Sequence, residues 1–398
     1  MKILVINAGS SSLKYQFLDT TTGEALARGV AERIGQDASL IKHTRNSEGT
    51  VRLLVDMPNH KVAIQEVLKV LTAPGTGVIA SMDEIEAIGH RVVHGGEKFA
   101  ASALITPAVK NAIRSCFVLA PLHNPPNMTG IEACEEAMPG VRQVAVFDTA
   151  FHQTMSAEAY MYAIPYELYQ KLGIRKYGFH GTSHQYVAQR AAAMLGRDIG
   201  ELRIITCHLG NGSSIAAVKF GQSVDTSMGM TPLAGICMGT RSGDIDPAIP
   251  MYLMDLEGLT SRQVDDILNK KSGVLGVSGI SSDFRDLYAA SDAGNVRATL
   301  SLDMFKYQCR KFIGGYAAAM GGVDAIVFTA GVGENNDDIR LGACTGLEYM
   351  GVEIDPARNA STRTEADVSM PASHVRVLVV PTNEELAIAN ETARICLG

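Results

Sequence analysis

A few side chains in this sequence sit where their type could do chemistry. Arg91 lies in Gly89-His-Arg-Val-Val-His-Gly-Gly96, a β-branched segment that ends in two glycines. Its planar guanidinium is the group that grips a carboxylate or phosphate with two parallel hydrogen bonds. Arg241 lies in Gly239-Thr-Arg-Ser-Gly-Asp-Ile-Asp246, again between glycines, with carboxylates close enough for a plain surface salt bridge to be the competing reading. His180 stands between Phe179 and Gly181, just ahead of a helix-starting signal. Asp148 closes the apolar run Ala145-Val-Phe147. The C-terminal end of a strand is where α/β folds place their chemistry, although a helix N-cap explains the residue equally well. In Pro381-Thr-Asn-Glu-Glu-Leu386, Thr382 reads as an N-cap and Glu385 as its capping-box partner, which leaves Glu384 free for a cation. His90 and His94 are four apart, but Val92, Val93 and the glycines favour strand or loop over helix, and the glutamate of a zinc-protease motif is absent.

These side chains need elements to hold them. Lys2-Ile-Leu-Val-Ile6 is an apolar run suited to a buried strand, Asn7-Ala-Gly-Ser-Ser-Ser12 a Gly/Ser turn, and Leu13, Tyr15 and Phe17 alternate as a second strand should. The same pattern returns as Ile204–Cys207, His208-Leu-Gly-Asn-Gly-Ser-Ser214 and Ile215–Phe220. The repeat points either to a duplicated domain or to a chance likeness of two short turns. A third strand, Asp324–Phe328, leads into the Gly-rich loop Thr329-Ala-Gly-Val-Gly-Glu-Asn335, with a helix starting near Asp337. Helical patterns cover His60–Leu71, Tyr186–Leu195, Ser261–Leu268 and Val296–Ile313. Strands alternating with helices predict α/β domains, and the boundary is expected just after Phe147-Asp-Thr-Ala150. Gly/Ser loops after strands present N–H groups and hydroxyls to an anion, commonly phosphate. Three such loops point to a nucleotide. The usual nucleotide signatures are absent: there is no P-loop, no third glycine after Gly210-Asn-Gly212 or Gly331-Val-Gly333, and no protein-kinase catalytic motif.

Composition bounds the rest. The chain has 398 residues, 46% hydrophobic and 19% charged, which predicts two globular domains. With 35 Lys+Arg against 42 Asp+Glu, its net charge of −7 argues against nucleic acid or an anionic membrane as partner. Positive charge for an anionic substrate must then be concentrated locally, as Arg91 and Arg241 provide. After Lys2 the apolar run Ile3–Ile6 is far shorter than the ~7–15 residues of a signal segment. No run approaches the ~18 apolar residues of a membrane span. Seven scattered cysteines with no C-x-x-C predict reduced thiols in a cytoplasmic protein.

Taken together, the motifs resemble those of the acetokinase family, the acetate kinases. The matching segments are Val5–Lys14, Gly89–Gly96, Pro121-Leu-His-Asn-Pro-Pro-Asn127, Phe147–His152, Arg175–His184, His208–Gly212, Met238–Arg241, Asp283-Phe-Arg285 and Thr329–Asn335. The resemblance runs from Met1 to the last helix. It implies membership of the superfamily of acetate and sugar kinases, heat-shock chaperones and actin. The implied fold is α/β, with two domains of duplicated actin-like (ribonuclease H-like) fold around a nucleotide cleft. Residues 1–150 plus 384–398 would form the N-terminal domain. Residues 151–383 would form the C-terminal one, with the nucleotide site and the interface of a homodimer. The implied reaction is reversible phosphoryl transfer from Mg-ATP to acetate, giving acetyl phosphate and ADP, by a phosphotransferase acting on a carboxyl group.

By resemblance, Asn7 and Glu384 hold Mg²⁺, with Mn²⁺ able to replace it. Lys14, His208, Leu209, Gly210, Asn211, Gly212, Asp283, Phe284, Arg285, Gly331, Val332, Gly333, Glu334 and Asn335 line the nucleotide site. Arg91 and Arg241 grip the carboxylate and the moving phosphoryl group, and His180 donates to it. Val93, Leu122, Phe179 and Pro232 form the methyl pocket. Asp148 is a catalytic residue of the family. Acetate is already ionised at pH 7, so a base has no proton to remove, and Asp148 is expected instead to orient metal-bound water or an arginine. Within this reading, propionate or another short-chain acid is the alternative substrate. A non-catalytic nucleotide-dependent module would keep the hairpins but has no use for Arg91, His180 and Arg241 together. A nicotinamide oxidoreductase lacks its signature altogether.

Overall fold

The computed structural model describes residues 1–45, 49–362 and 364–398. It divides into two compact units, Met1–Gln153 with Asn383–Gly398, and Thr154–Thr382.

The first unit carries a sheet built from β1 (Lys2–Ala8), β2 (Ser12–Asp19), β3 (Glu24–Glu32), β4 (Leu40–Arg45), β5 (Val51–Leu54), β6 (Ala87–Val92), β7 (Ala103–Leu104) and β8 (Arg142–Phe147). Their order across the sheet is β5-β4-β3-β2-β1-β6-β8-β7. β1 runs antiparallel to β2 and parallel to β6, and β6 runs parallel to β8. The second unit holds β9 (Arg203–Leu209), β10 (Ser213–Lys219), β11 (Gln222–Thr226), β12 (Ala325–Thr329), β13 (Ala366–Asp367) and β14 (Arg376–Val379), in the order β11-β10-β9-β12-β14-β13. Here β9 is antiparallel to β10 and parallel to β12, which is parallel to β14. The series β3-β2-β1-β6-β8 and β11-β10-β9-β12-β14 therefore have the same order and the same strand directions. Chance likeness of two turns does not produce that, so the repeated hairpins belong to a duplicated α/β topology.

A parallel strand in the middle of a sheet is covered on both faces, and this explains why β1 is continuously apolar. Alternate residues of β1 face opposite ways. Leu4 and Ile6 pack with Ile64, Val67 and Leu68 of the helix His60–Thr72 and with Ala133 of the helix Asn124–Ala137. Ile3 and Val5 pack on the other face with Ile388, Ala389 and Ala393 of the helix Glu384–Leu397. Burying each such aliphatic side chain contributes roughly 1.5–3 kcal/mol. Gly89 of β6 makes the C-terminal helix fit. A Cβ there would lie 2.7 Å from Ile388 Cγ2 and 2.5 Å from Thr392 Oγ1. Gly89→Ala would push that helix away from the sheet.

Three local expectations need correction. The C-terminal helix is capped by Asn383, whose side chain accepts from the Leu386 N–H at 3.0 Å. Thr382 is not the cap, because its hydroxyl is engaged by Ser183 at 2.8 Å. The segment after β12 is a short helix, Ala330–Asn335, rather than an open loop, and Ala330 enters it in the left-handed region at φ 62°. The helix read as Tyr186–Leu195 begins earlier, at Gly181, with His180 as its left-handed N-cap at φ 56°. That conformation is uncommon for a residue with a side chain and clusters at functional sites.

Candidate active site

In the first unit the candidate residues gather at the C-terminal ends of β1, β6 and β8. Arg91 is the penultimate residue of β6, and Asp148 follows β8 directly, its N–H donating to Val92 O at 3.0 Å. Parallel pairing of β6 with β8 brings the two side chains together. Arg91 Nε donates to Asp148 Oδ1 at 3.1 Å, and Nη2 donates to Oδ2. The fork is bidentate, with Asp148 1% and Arg91 22% exposed. Asp148 is thus paired with Arg91. Glu384 Oε2 stands 4.0 Å from Arg91 Nε, held there by the first turn of the C-terminal helix. Burial disfavours the Arg91 charge, but Asp148 and Glu384 outweigh it and hold the guanidinium above its ordinary pKa. Burial raises the Glu384 carboxyl, opposed by Arg91 and by Lys14. Asn7, half-buried near the end of β1, is in register with Lys14 on β2, whose ammonium is exposed. Val93 is buried, while Leu122 is 74% exposed on this unit.

The second unit presents a different cluster. Gly212 sits in the turn between β9 and β10, and a Cβ there would lie 3.4 Å from Arg241 Nη1 and 3.6 Å from His180 Nε2. The turn thus runs close beside both groups. Arg241 Nη1 donates to Pro232 O at 3.1 Å, and no ion pair involves this arginine among the described residues. Burial holds its pKa below the ordinary value. A half-buried guanidinium with no acid beside it is prepared to meet an anion. His180 Nδ1 lies 2.8 Å from Ser214 Oγ, which lies 2.7 Å from His184 Nε2, and His184 Nδ1 lies 2.7 Å from Thr206 Oγ1. The His180 ring stacks on His208 with centroids 4.2 Å apart, and His208 Nδ1 lies 2.8 Å from Ser183 Oγ. These contacts fix the His180 ring and couple its tautomer to a buried chain of hydroxyls and imidazole. Phe179 is buried, and Pro232 is half-buried.

A cavity of about 520 Å³ opens in the same unit. Gly210, Asn211, Asp283, Phe284, Arg285, Gly331, Val332 and Asn335 line it, as do Ser282, Tyr288 and Asn336, which the sequence reading missed. Tyr288 lies four residues after Phe284 on the helix Phe284–Asp292, so spacing could have placed it on the same face. Asp283 caps that helix by accepting from the Arg285 N–H at 2.9 Å, and the Arg285 side chain folds back on it, holding its carboxyl down at about 2. His208, Leu209, Gly212, Gly333 and Glu334 do not line the cavity. Leu209 and Gly333 are buried, and Glu334 Oε1 accepts from the Thr382 N–H at 3.2 Å.

Among the described residues no cluster of three or more His, Cys, Asp or Glu could hold a metal. The oxygen donors Asn7 and Glu384 still fit Mg²⁺, which keeps most of its water and takes one or two protein ligands besides substrate phosphates.

Comparison with known proteins agrees along the whole length. The family model described as "Acetokinase family" matches residues 2–390. An acetate kinase of Methanosarcina acetivorans is 61% identical over 396 residues, covering 100% of this chain and 97% of the relative. One from Caldicellulosiruptor saccharolyticus is 59% identical, covering 99% of each. Among solved structures, Porphyromonas gingivalis acetate kinase superimposes with a TM-score of 0.97 at 51% identity, covering 99% of both chains. A propionate kinase from Francisella tularensis gives 0.92 at 41% identity, again over 99% of both. With a family model spanning nearly the whole sequence and full-length relatives at about 60% identity, this chain belongs to the acetokinase family.

Proposed function

We propose that this chain is an acetate kinase, moving the γ-phosphoryl group of ATP to an acetate oxygen and, in reverse, from acetyl phosphate to ADP. The full-length identity to acetate kinases carries the reading. The side chains agree with it, because transfer through a loose, in-line transition state calls for positioning and charge stabilisation rather than a base.

In this reading the first unit grips the acid. Arg91, aligned by Asp148, binds the acetate carboxylate, and Val93 and Leu122 meet the methyl group. In the second unit the 520 Å³ cavity takes the nucleoside. In the same unit, Arg241 and the ring of His180 donate to the transferring group. Asn7 and Glu384 would hold Mg²⁺, which when bound neutralises charge on the phosphate oxygens. The balance is simple: a carboxylate oxygen forms the new P–O bond, the bond from phosphorus to the β–γ bridging oxygen breaks, and ADP leaves with that electron pair.

Acetate is favoured over propionate because the acetate kinase structure matches at higher identity than the propionate kinase, and buried Val93 narrows the methyl side. The seven free, buried cysteines suit a reducing, cytoplasmic setting. No helix among the described residues is long and apolar enough to cross a membrane. A homodimer through the second unit is supported by exposed Met251, Tyr252 and Leu256 on the helix Ile249–Glu257. The direct test is ³¹P NMR of a mixture of enzyme, Mg-ATP and acetate. Acetyl phosphate and ADP should appear in equal amounts, and ADP with inorganic phosphate instead would overturn the reading.

A further inference from the structure

Behind the candidate acid-binding site, one buried amide ties two strand ends together. β1 and β6 are parallel neighbours, and their pairing ends at Ile6 and His90. Beyond it, Ala8 and Val93 leave a carbonyl and an N–H at the sheet's C-terminal edge. Asn127, 3% exposed in the first turn of the helix Asn124–Ala137, satisfies both. Its Nδ2 donates to Ala8 O at 2.8 Å, and its Oδ1 accepts from Val93 N–H at 3.1 Å. One helical turn on, Gly130 touches the same place: a Cβ there would lie 2.9 Å from Ala8 Cβ. Asn124 holds the next residue similarly, accepting from His94 N–H at 3.0 Å and donating to His94 O at 2.8 Å.

We infer that Asn127 is a positioning residue that sets the spacing between Asn7 and Arg91 by bridging Ala8 and Val93. The inference rests on the acetate kinase reading and deepens it. Ala8 follows Asn7 and precedes the Gly/Ser turn, while Val93 is two residues from Arg91. A buried carbonyl and a buried N–H that lose a partner cost their desolvation, so losing the bridge would let the strand ends part. Asn127 is buried and reaches the acid-binding residues only through backbone groups. It acts on the acid-binding residues of the first unit and leaves the nucleotide cavity of the second alone.

Asn127→Asp provides the test. As a carboxylate the new side chain accepts at Val93 but repels the Ala8 carbonyl. As a neutral acid its O–H donates to Ala8 as the amide does. Burial raises a carboxyl pKa, so the neutral form should be reached within the working pH range. At pH 8 the variant should show an acetate KM raised at least 10-fold and a lower kcat, with ADP affinity by calorimetry within 2-fold of the parent. Between pH 8 and pH 6 its activity relative to the parent should recover at least several-fold. Parental kinetics at pH 8, a flat activity ratio across pH, or equal losses of acetate KM and ADP affinity would each overturn the inference. Gly130→Ala serves as a second variant. Alanine favours the helix, so a raised acetate KM with unchanged ADP affinity would come from displacing Ala8. Parental kinetics in this variant would also count against the inference. If the parent itself makes no acetyl phosphate, it is the proposed function that fails.

Discussion

Protonation of His90 should make the first unit lose stability in mild acid. His90 is 2% exposed on β6, and its Nε2 lies 2.6 Å from Gln143 Oε1 on the neighbouring strand β8. An amide oxygen only accepts, so the ring donates from Nε2. Burial pushes its pKa down to about 4, from an ordinary 6.5, despite the Gln143 hydrogen bond. The native ring therefore stays neutral where the unfolded ring is protonated. Its contribution is fully present above about pH 6.5 and is lost as pH falls from there towards 4. A gap of about 2.5 units is worth roughly 3 kcal/mol in all, of which about 2 kcal/mol is already lost at pH 5. Other groups titrate over the same range, so the informative quantity is a difference of differences. His90→Gln removes the titration, and urea unfolding of parent and variant followed by circular dichroism at pH 7 and pH 5 reads the result. Hydrogen exchange of β6 and β8 peptides can localise it to the first unit. The variant should be less stable at pH 7, and that deficit should shrink by about 2 kcal/mol at pH 5. A deficit that is the same at both pH values within about 0.5 kcal/mol would refute the reasoning, because it would mean that the ring titrates as if exposed.

Three further outcomes follow from the site. Asp148→Asn removes the negative partner of a largely buried pair and should cost about 3 kcal/mol of stability, the low end for such a loss because Arg91 keeps some solvent. Activity should fall without the selective disappearance of a pH–rate limb, and such a disappearance would instead mark Asp148 as a base. Arg241→Ala should lower kcat by about 10²–10³-fold, the effect of removing one donor to a charged transition state, and leave calorimetric ADP affinity within about 3-fold because Arg241 does not line the cavity. Collapse of ADP affinity would sink that division of roles. Ser214→Ala cuts the link between His180 and His184, so it should lower kcat with little change in KM for ATP. An unchanged kcat would mean that the link does not position His180.

What could be read from the sequence was local. The hairpins after Ile6 and Cys207 follow from an apolar run, a Gly/Ser turn and an alternating strand, all within about twenty residues. Arg91 and Arg241 stood out through their glycine neighbours, because an acidic chain must concentrate its positive charge. The errors were also local but finely balanced. Thr382 and Asn383 can both cap a helix, and the Ser183 hydroxyl, about 200 residues away, decides which one does. The Gly-rich stretch after Thr329 reads as loop by composition, yet it turns helical once Ala330 takes a positive φ. Other features depend on packing that no spacing reveals. Gly89 looks like a strand breaker until Ile388 and Thr392 are seen against it. Ser214 and His184 are thirty residues apart, and only the fold links them behind His180.

The central claim is that the phosphoryl acceptor is a carboxylate and that acetate fits best. Acyl phosphate trapped as hydroxamate, with acetate, propionate and butyrate assayed in parallel, tests both halves. The account predicts ATP-dependent hydroxamate from acetate, with propionate lower in kcat/KM by about 10–200-fold, the effect of one misplaced methylene, and butyrate lower again. Equal kcat/KM for acetate and propionate would contradict the acetate preference, and no hydroxamate from any of the three acids would contradict the account as a whole.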